Sequence, residues 1–387
     1  MTDAHTETTA PGARIDRKYL LAACLFAFLF QLVFVFATHR HAAFRFPLID
    51  AAGYHRQAMA LLNGNLAADP YWQPPLYMYL LAGLCRIVGA EPLILRLAHC
   101  LLAVAAAGLT YRVARRFLPP RGALAASLGC SLHGPLVFFC TQRLPTGPAV
   151  VLDLLFLLLF LRLAERPRAW RALLCGAALA ALTVANILVA VPVVLWWCLR
   201  QRSGAGLSRS ARLAAAFLLA VCVCIWPVTL RNRIVSGQWV PISTNAGINL
   251  FVGNNPDMDT TLSIRPGLDW ERLVARPFRE GAAEDERDAE AYFLRRVRRY
   301  AVGHPWAFAA GLARKAWWLT GAHEIPRNID PYVFADRSAL LQPLLWRAGP
   351  FAFPGGIVLP LALVGAVVLR TRSRKAGGML AILALYL

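Results

Sequence analysis

Apolar runs of membrane-crossing length recur along this chain, and the basic residues between them gather in clusters. Tyr19–Ala37 holds nineteen residues without a charge, enough helix to cross the roughly 30 Å hydrocarbon core of a bilayer. Arg14, Arg17 and Lys18 precede it and His39-Arg40-His41 follow it. A cleaved signal peptide has a shorter apolar core with a small-residue site behind it. A retained first span is therefore expected, with residues 1–18 as a cytoplasmic tail.

Cytoplasmic loops collect Arg and Lys, and that rule orders the rest. Leu93–Tyr111 is the next full span and ends in Arg112, Arg115, Arg116 and Arg121. Ala123–Phe139 goes out, Cys140–Pro148 is a short outer turn, and Ala149–Leu161 returns to Arg162, Arg166, Arg168 and Arg171. Leu173–Ala185 and Ile187–Leu199 form a hairpin with Asn186 at its outer tip, returning to Arg200, Arg202, Arg209 and Arg212. Leu213–Leu230 exits, and Phe351–Leu369 closes on Arg370, Arg372, Arg374 and Lys375. Leu76–Val88 is assigned to the outer interface, because as a crossing it would put the Arg112 cluster outside. The fold class expected is an all-α polytopic membrane protein with about 8 complete spans.

Composition agrees. Of 387 residues, 58% are apolar and 16% charged, against about 25% charged in an ordinary soluble domain. The formal charge of +20 sits between spans and not on one soluble face, which points to anionic lipid headgroups and not to nucleic acid. Eight of the nine Cys lie in or beside apolar runs and the ninth is Cys85. Their spacing suggests neither a disulfide framework nor a metal site.

Four regions follow: the tail, a transmembrane domain over 19–230 with a first outer loop at 38–90, a large extracytoplasmic segment over 231–350, and a C-terminal membrane part over 351–387. The large segment reads as loop and strand from Asn232 to Asn255. Ala282–Val302 then reads as a charged amphipathic helix. Pro305–Thr320 is another, interfacial because Arg314 and Lys315 interrupt its apolar face. Gly377–Leu387 is eleven residues of apolar run, too short to cross, and a truncated chain is expected.

Phe46 to Tyr79 reads FPLIDAAGYHRQAMALLNGNLAADPYWQPPLYMY. An acid just outside a span, an amphipathic helix, and a Pro-Pro-Leu lead into an apolar helix form a pattern. It resembles the first extracytoplasmic loop of membrane glycosyltransferases that use polyprenyl-phosphate sugars. These are the protein O-mannosyltransferase and aminoarabinose-transferase relatives of glycosyltransferase family 39, with the GT-C fold. Trp226-Pro227, Arg231-Asn232 and the stretch Pro241–Asn255 resemble the start of that family's large outer loop. His323-Glu324-Ile325-Pro326-Arg327-Asn328 resembles its exit.

The resemblance implies an inverting transferase that moves a sugar from a polyprenyl phosphate to a protein, lipid or glycan acceptor. Its membrane would be the bacterial inner membrane, with the active site on the outer side. It makes Asp50 the general base, a role worth about 10²–10⁴-fold. An Asp capping the helix that starts at Ala51 is the bland alternative. Cations near the outer surface can hold the departing phosphate: Arg143, Arg231, Arg233, Lys315 and Arg327, with His323 and His55 behind them. Tyr54, one turn from Asp50, and His55, Gln142, Asn245 and Asn249 are the acceptor-side and loop candidates.

Many relatives carry a second acid in the short outer turn, where this chain has the neutral Gln142. Asp153, about a turn and a half inside the next span, is the acid nearby and is a functional candidate by its depth. No cofactor is expected, and without the second acid a divalent metal has no support. A lipid-linked-sugar flippase would need several polar-lined spans or internal repeats; the sequence shows no repeat and one acid within a span, Asp153, which could equally pair with a neighbouring cation. A non-catalytic lipid-binding scaffold of the same fold is the other rival, kept open by Gln142.

Overall fold

The computed structural model describes residues 10–181, 184–200, 202–320, 329–349 and 351–372. The first half is helical: α1 (Ala10–Thr38), α2 (Ala42–Arg45), α3 (Asp50–Leu62), α4 (Leu76–Val88), α5 (Pro92–Ala114), α6 (Pro120–Ser131), α7 (Gly134–Phe139), α8 (Thr146–Glu165), α9 (Ala169–Ala180), α10 (Val184–Arg200) and α11 (Arg202–Ser236). The segment after α11, expected outside, adds α12 (Ala246–Gly253), α13 (Met258–Ser263), α14 (Leu268–Val274), α15 (Arg276–Arg279), α16 (Glu286–Gly303), α17 (Pro305–Thr320) and α18 (Pro331–Ala335). A two-stranded antiparallel hairpin, β1 (Trp346–Ala348) with β2 (Phe351–Phe353), precedes α19 (Gly355–Arg372).

Arg14–Thr38, Pro92–Ala114, Thr146–Glu165 and Arg209–Ser236 are long and apolar enough to cross a membrane. Leu21, Leu25, Val33, Leu101, Leu219 and Val223 on them stay more than half exposed. Apolar surface of that extent is stable against lipid, not water. The chain is an all-α polytopic membrane protein.

Helices α1, α5 and α6 pack together, and α8, α9, α10 and α11 form a second group joined to the first through α5 and α8. Gly176 lets α9 approach α11, since a Cβ there would collide with the Phe217 carbonyl. A core of Phe34, Phe44, Tyr54, Tyr77, Phe138 and Phe334 fills the space where the first loop, α7 and α18 meet. In the segment after α11, Ile248, Phe251 and Val252 of α12 pack on Tyr292, Phe293 and Val297 of α16.

Four expected spans differ from the sequence reading. Ala123–Phe139 is two helices, α6 and α7, broken at Leu132–His133. Pro135 has no N–H to give a continuing helix, and Gly134 abuts the Leu344 carbonyl so closely that a Cβ would not fit. In the hairpin, α9 and α10 begin earlier than expected, and Asn186 falls inside α10 and not at a tip. Residues 182 and 183 between them lie outside the described set. The last span begins at Gly355, because Phe351–Phe353 pairs with Trp346–Ala348.

The region from Asn232 to Asn255 is also corrected from loop and strand. Helix α11 carries on to Ser236 past Pro227, and Ala246–Gly253 is helical. Gly247 is there for closeness: a Cβ would strike the backbone of Glu290. The Asn245–Asn255 stretch packs on α16, with Trp72 of the first loop against the same cluster. By contrast Leu76–Val88 and Pro305–Thr320 form at the expected residues. The charged helix starts at Glu286, where Asp285 caps it by accepting from the Asp288 N–H at 2.9 Å.

Where α11 leaves the apolar bundle, Asn232 is fully buried. Its Oδ1 accepts from the Tyr71 N–H at 3.3 Å, and its Nδ2 donates to the carbonyls of Val240 (3.1 Å) and Ile242 (3.2 Å). Arg231 beside it donates to the carbonyls of Ala67, at 2.7 Å, and Asp69, and lies 4.2 Å from the Tyr71 ring centroid. The first loop and the outer segment are tied at this point.

Two outcomes follow. Topology is probed at exposed Arg265, in a segment free of Cys, and at exposed Arg168. Arg265→Cys should react with an impermeant thiol reagent added outside intact cells and Arg168→Cys should not; the reverse pattern sinks the orientation. Asn232→Leu leaves one amide and two carbonyls without their partner, at about 1–3 kcal/mol for each group that water cannot reach. Its melting temperature in detergent should drop well below that of wild type, and an unchanged melt would mean that the tie is incidental.

Candidate active site

The backbone reaches Asp50 through an unusual residue. Ile49 has φ of 50°, a region that a β-branched side chain enters at a cost of about 1–3 kcal/mol. This turns the chain so that Asp50 becomes the first residue of α3. The helix is thus one residue longer than the sequence reading, the N-cap position belongs to Ile49, and no side chain caps it. Asp50 is half-buried and adds charge to the first turn, where an acid favours the helix dipole by about 0.3–1 kcal/mol.

One turn on, Tyr54 is buried and its ring meets Tyr77 edge-on at 5.2 Å. Burial, and after it the charge of Asp50, pushes the Tyr54 phenol above its ordinary value. The Tyr77 hydroxyl lies 3.1 Å from His99 Nε2, and His99 Nδ1 lies 2.7 Å from the Leu95 carbonyl oxygen. A polar chain thus runs from the acid's helix into the top of α5.

The outer turn packs against this group. Its backbone is fixed by the Thr141 N–H to Phe138 and the Gln142 N–H to Phe139 carbonyls, both at 3.2 Å. Arg143 is 6% exposed, yet no hydrogen bond or ion pair holds its guanidinium among the described residues. Burial lowers its pKa, with Cys85, Tyr77 and Glu91 pulling the other way. Gln142 is 8% exposed, and its Nε2 is sealed without an acceptor. His55 Nδ1 is likewise without a partner. Burial first, and the Arg143 charge second, lower the pKa of His55.

An apolar cleft of about 110 Å³ opens beside these residues, lined by Tyr54, Pro74, Leu76, Tyr77, Leu80, Pro145, Pro148, Ala149, Leu152 and Ala181. The structure therefore gathers Tyr54, His55, Gln142 and Arg143 around the helix that Asp50 begins. A cation without an ion-pair partner among the described residues, in the turn that supplies Pro145 and Pro148 to an apolar cleft, suits a ligand with one anionic group and a hydrocarbon tail.

The other candidates are placed elsewhere. Arg231 spends its donors on the Ala67 and Asp69 carbonyls. Arg233 is exposed and lies over Trp239 at 5.5 Å. Lys315 donates to the Gly253 carbonyl (2.9 Å) and Asn254 Oδ1 (2.6 Å). Asn245 Oδ1 accepts from the Ser243 hydroxyl at 3.3 Å, and Asn249 is exposed on α12. His323 and Arg327 lie outside the described residues. Among the described residues no group of three or more His, Cys, Asp or Glu could hold a metal ion.

Sequence reasoning passed over Tyr77, His99 and Arg96. For the last two the signal was there: a titratable residue inside an apolar span is a functional candidate by default. Tyr77, inside PPLYMY, carried no such mark.

Residues 72–227 match the family model described as dolichyl-phosphate-mannose-protein mannosyltransferase. No curated protein and no solved structure matches the chain. The matched stretch includes Gln142, Arg143 and most of the cleft, and begins after Asp50. It supports the family resemblance drawn from the sequence. Together with the helical bundle it supports a membrane glycosyltransferase of the GT-C type.

The lowered pKa of His55 sets a pH test. A histidine with a depressed folded-state pKa favours folding fully above its unfolded value of about 6.5, and that contribution is lost as pH falls. The wild-type melting temperature should fall between pH 6.5 and 5 more steeply than that of His55→Gln. Parallel profiles would show that His55 is not held neutral by its surroundings.

Proposed function

We propose that the chain transfers a sugar from a polyprenyl-phosphate donor to an acceptor hydroxyl or amine on the extracytoplasmic side, with inversion at the anomeric carbon. The observation that carries this reading is Arg143, a buried guanidinium without a partner among the described residues, in the turn whose Pro145 and Pro148 line an apolar cleft with Leu76, Leu80 and Leu152. A phosphate with an isoprenoid tail supplies both missing halves: an anion for the cation and hydrocarbon for the cleft.

The acceptor's lone pair forms a bond to the anomeric carbon as the bond from that carbon to the phosphate oxygen breaks. The electron pair leaves with the polyprenyl phosphate, whose charge increases. Arg143 faces that charge where water is largely excluded, so its field acts at short range and low dielectric. Asp50 takes the acceptor's proton. Its place at the start of α3 is set by the strained Ile49 and held by Tyr54 and Tyr77 packed below.

The neutrality of Gln142 favours a phosphate bound by charge and hydrogen bonds over one bridged by a metal. Its unpartnered Nε2 can donate to a phosphate oxygen. The same neutrality is what a non-catalytic scaffold would have, and the test separates the two.

The test is a transfer assay with purified variants at matched folded protein. Asp50→Asn keeps the size of the side chain and removes the base, so turnover should drop about 10²-fold or more with donor binding intact. Arg143→Gln should lose about 10²–10³-fold in turnover, the usual cost of removing one electrostatic stabiliser, without lowering the melting temperature, because a buried charge with no partner contributes no stability to lose. Wild-type turnover in Asp50→Asn would place the base elsewhere. A strongly destabilised Arg143→Gln would make that arginine structural. No transfer by wild type with any polyprenyl-phosphate sugar would favour the scaffold.

A further inference from the structure

A second basic cavity lies at the ends of α1 and α5 nearest the first loop. It holds about 220 Å³ and is lined by His39, Arg40, Arg45, Glu91, Pro92, Leu93 and Arg96. Arg143 is not part of its lining, and neither is any wall residue of the apolar cleft. Three arginines and one glutamate leave it positive by two charges with the histidine neutral. Glu91 is already engaged, since its Oε2 caps α5 by accepting from the Ile94 N–H at 2.9 Å.

Arg96 gives the cavity its character. The side chain is 4% exposed. It donates once, from Nη2 to Thr38 Oγ1 at 2.7 Å, while Nε and Nη1 find no acceptor. Phe34 and Phe44 flank the guanidinium at 5.9 and 5.5 Å from their centroids. No carboxylate pairs with it among the described residues. Rings can steady a cation, but they do not neutralise it, and a buried charge without a counter-charge is costly. Arg40 and Arg45, both exposed at the rim, add to the same field and do not offset it.

We propose that this cavity binds a phosphate group, with Arg96 at its base and Arg40 and Arg45 closing on it from the rim. Arginine suits the role because its planar fork of donors matches the oxygens of a phosphate. The Pro92 end of α5 adds the positive end of a helix dipole to the same side. The phosphate has two sources, an anionic lipid headgroup in the adjacent leaflet or free inorganic phosphate. The site is separate from the Arg143 cleft and does not depend on the transferase reading.

The experiment uses the full chain, in zwitterionic detergent with added inorganic phosphate, and in nanodiscs of phosphatidylcholine with or without phosphatidylglycerol. The readout is the thermal midpoint against probe concentration. Wild type should be stabilised by at least one probe, and Arg40→Gln with Arg45→Gln should weaken the apparent affinity at least tenfold. Both positions are exposed, so the double variant should fold. Glu91→Gln removes the opposing charge and should tighten the response, while Arg143→Gln should keep it. Stabilisation by phosphatidylglycerol alone assigns a lipid headgroup, and stabilisation by inorganic phosphate as well assigns the phosphate group itself. Either supports the site. An unchanged response in the double variant, or one abolished by Arg143→Gln alone, overturns it.

Discussion

Asn232 is the joint on which the outer half of the molecule depends. A helix that leaves an apolar bundle carries backbone groups that lipid cannot satisfy, and the segments that cover it must be bonded by something. One carboxamide does this for two loops distant in sequence, accepting from Tyr71 and donating to Val240 and Ile242. Arg231 extends the grip to Ala67 and Asp69, and Thr244 returns a backbone bond to Tyr71 at 3.0 Å. The first loop, with Asp50 at its start, is thereby held against the outer module. The membrane part is held by close fit between helices and by single buried bonds, as from Gln31 Nε2 to the Val137 carbonyl at 2.8 Å and from the Ser127 hydroxyl to the Ala107 carbonyl at 2.7 Å.

The arginines that make the chain so basic divide by surroundings. Some sit at helix ends, as Arg115 does with Asp16 at 2.7 Å. Others are clamps, as Arg231 is. Arg96 and Arg143 are neither: both are buried and, among the described residues, neither has an ion-pair partner. Folding alone gives no reason to keep such a charge, since apolar residues of similar size stabilise as well or better. Their retention is intelligible if the missing negative charge arrives with a ligand.

Much of the architecture was legible in the sequence, for a physical reason. Span length and cation bias are set by the bilayer, which acts on every helix alike, and Leu76–Val88 and Pro305–Thr320 formed where hydropathy and Pro placed them. What escaped depended on a partner distant in the chain. Gly134 and Gly247 look like turn residues, but each serves close contact, with Leu344 and with Glu290. The first accompanies a helix break, the second sits within a helix. In the site, Asp50 and Arg143 could be named from their positions. The burial that leaves Arg143 unpaired could not, because it comes from Tyr77, Cys85 and the outer turn folding together. Arg231 looked equivalent in sequence and is a structural clamp.

The cleft beside Arg143 shares two of its walls, Leu76 and Leu80, with the exterior of the molecule, where they are 39% and 49% exposed. With α4 in the membrane interface, as its sequence indicates, a lipid donor of the proposed kind would enter past them sideways from the leaflet. Encounter is then a two-dimensional search, and the concentration that governs it is a mole fraction among lipids. Diluting the bilayer with other lipid would slow such a protein, while diluting the surrounding buffer would not. A reactant supplied from the aqueous side would follow ordinary bulk concentration, so the two halves of one reaction would obey different laws of mass action.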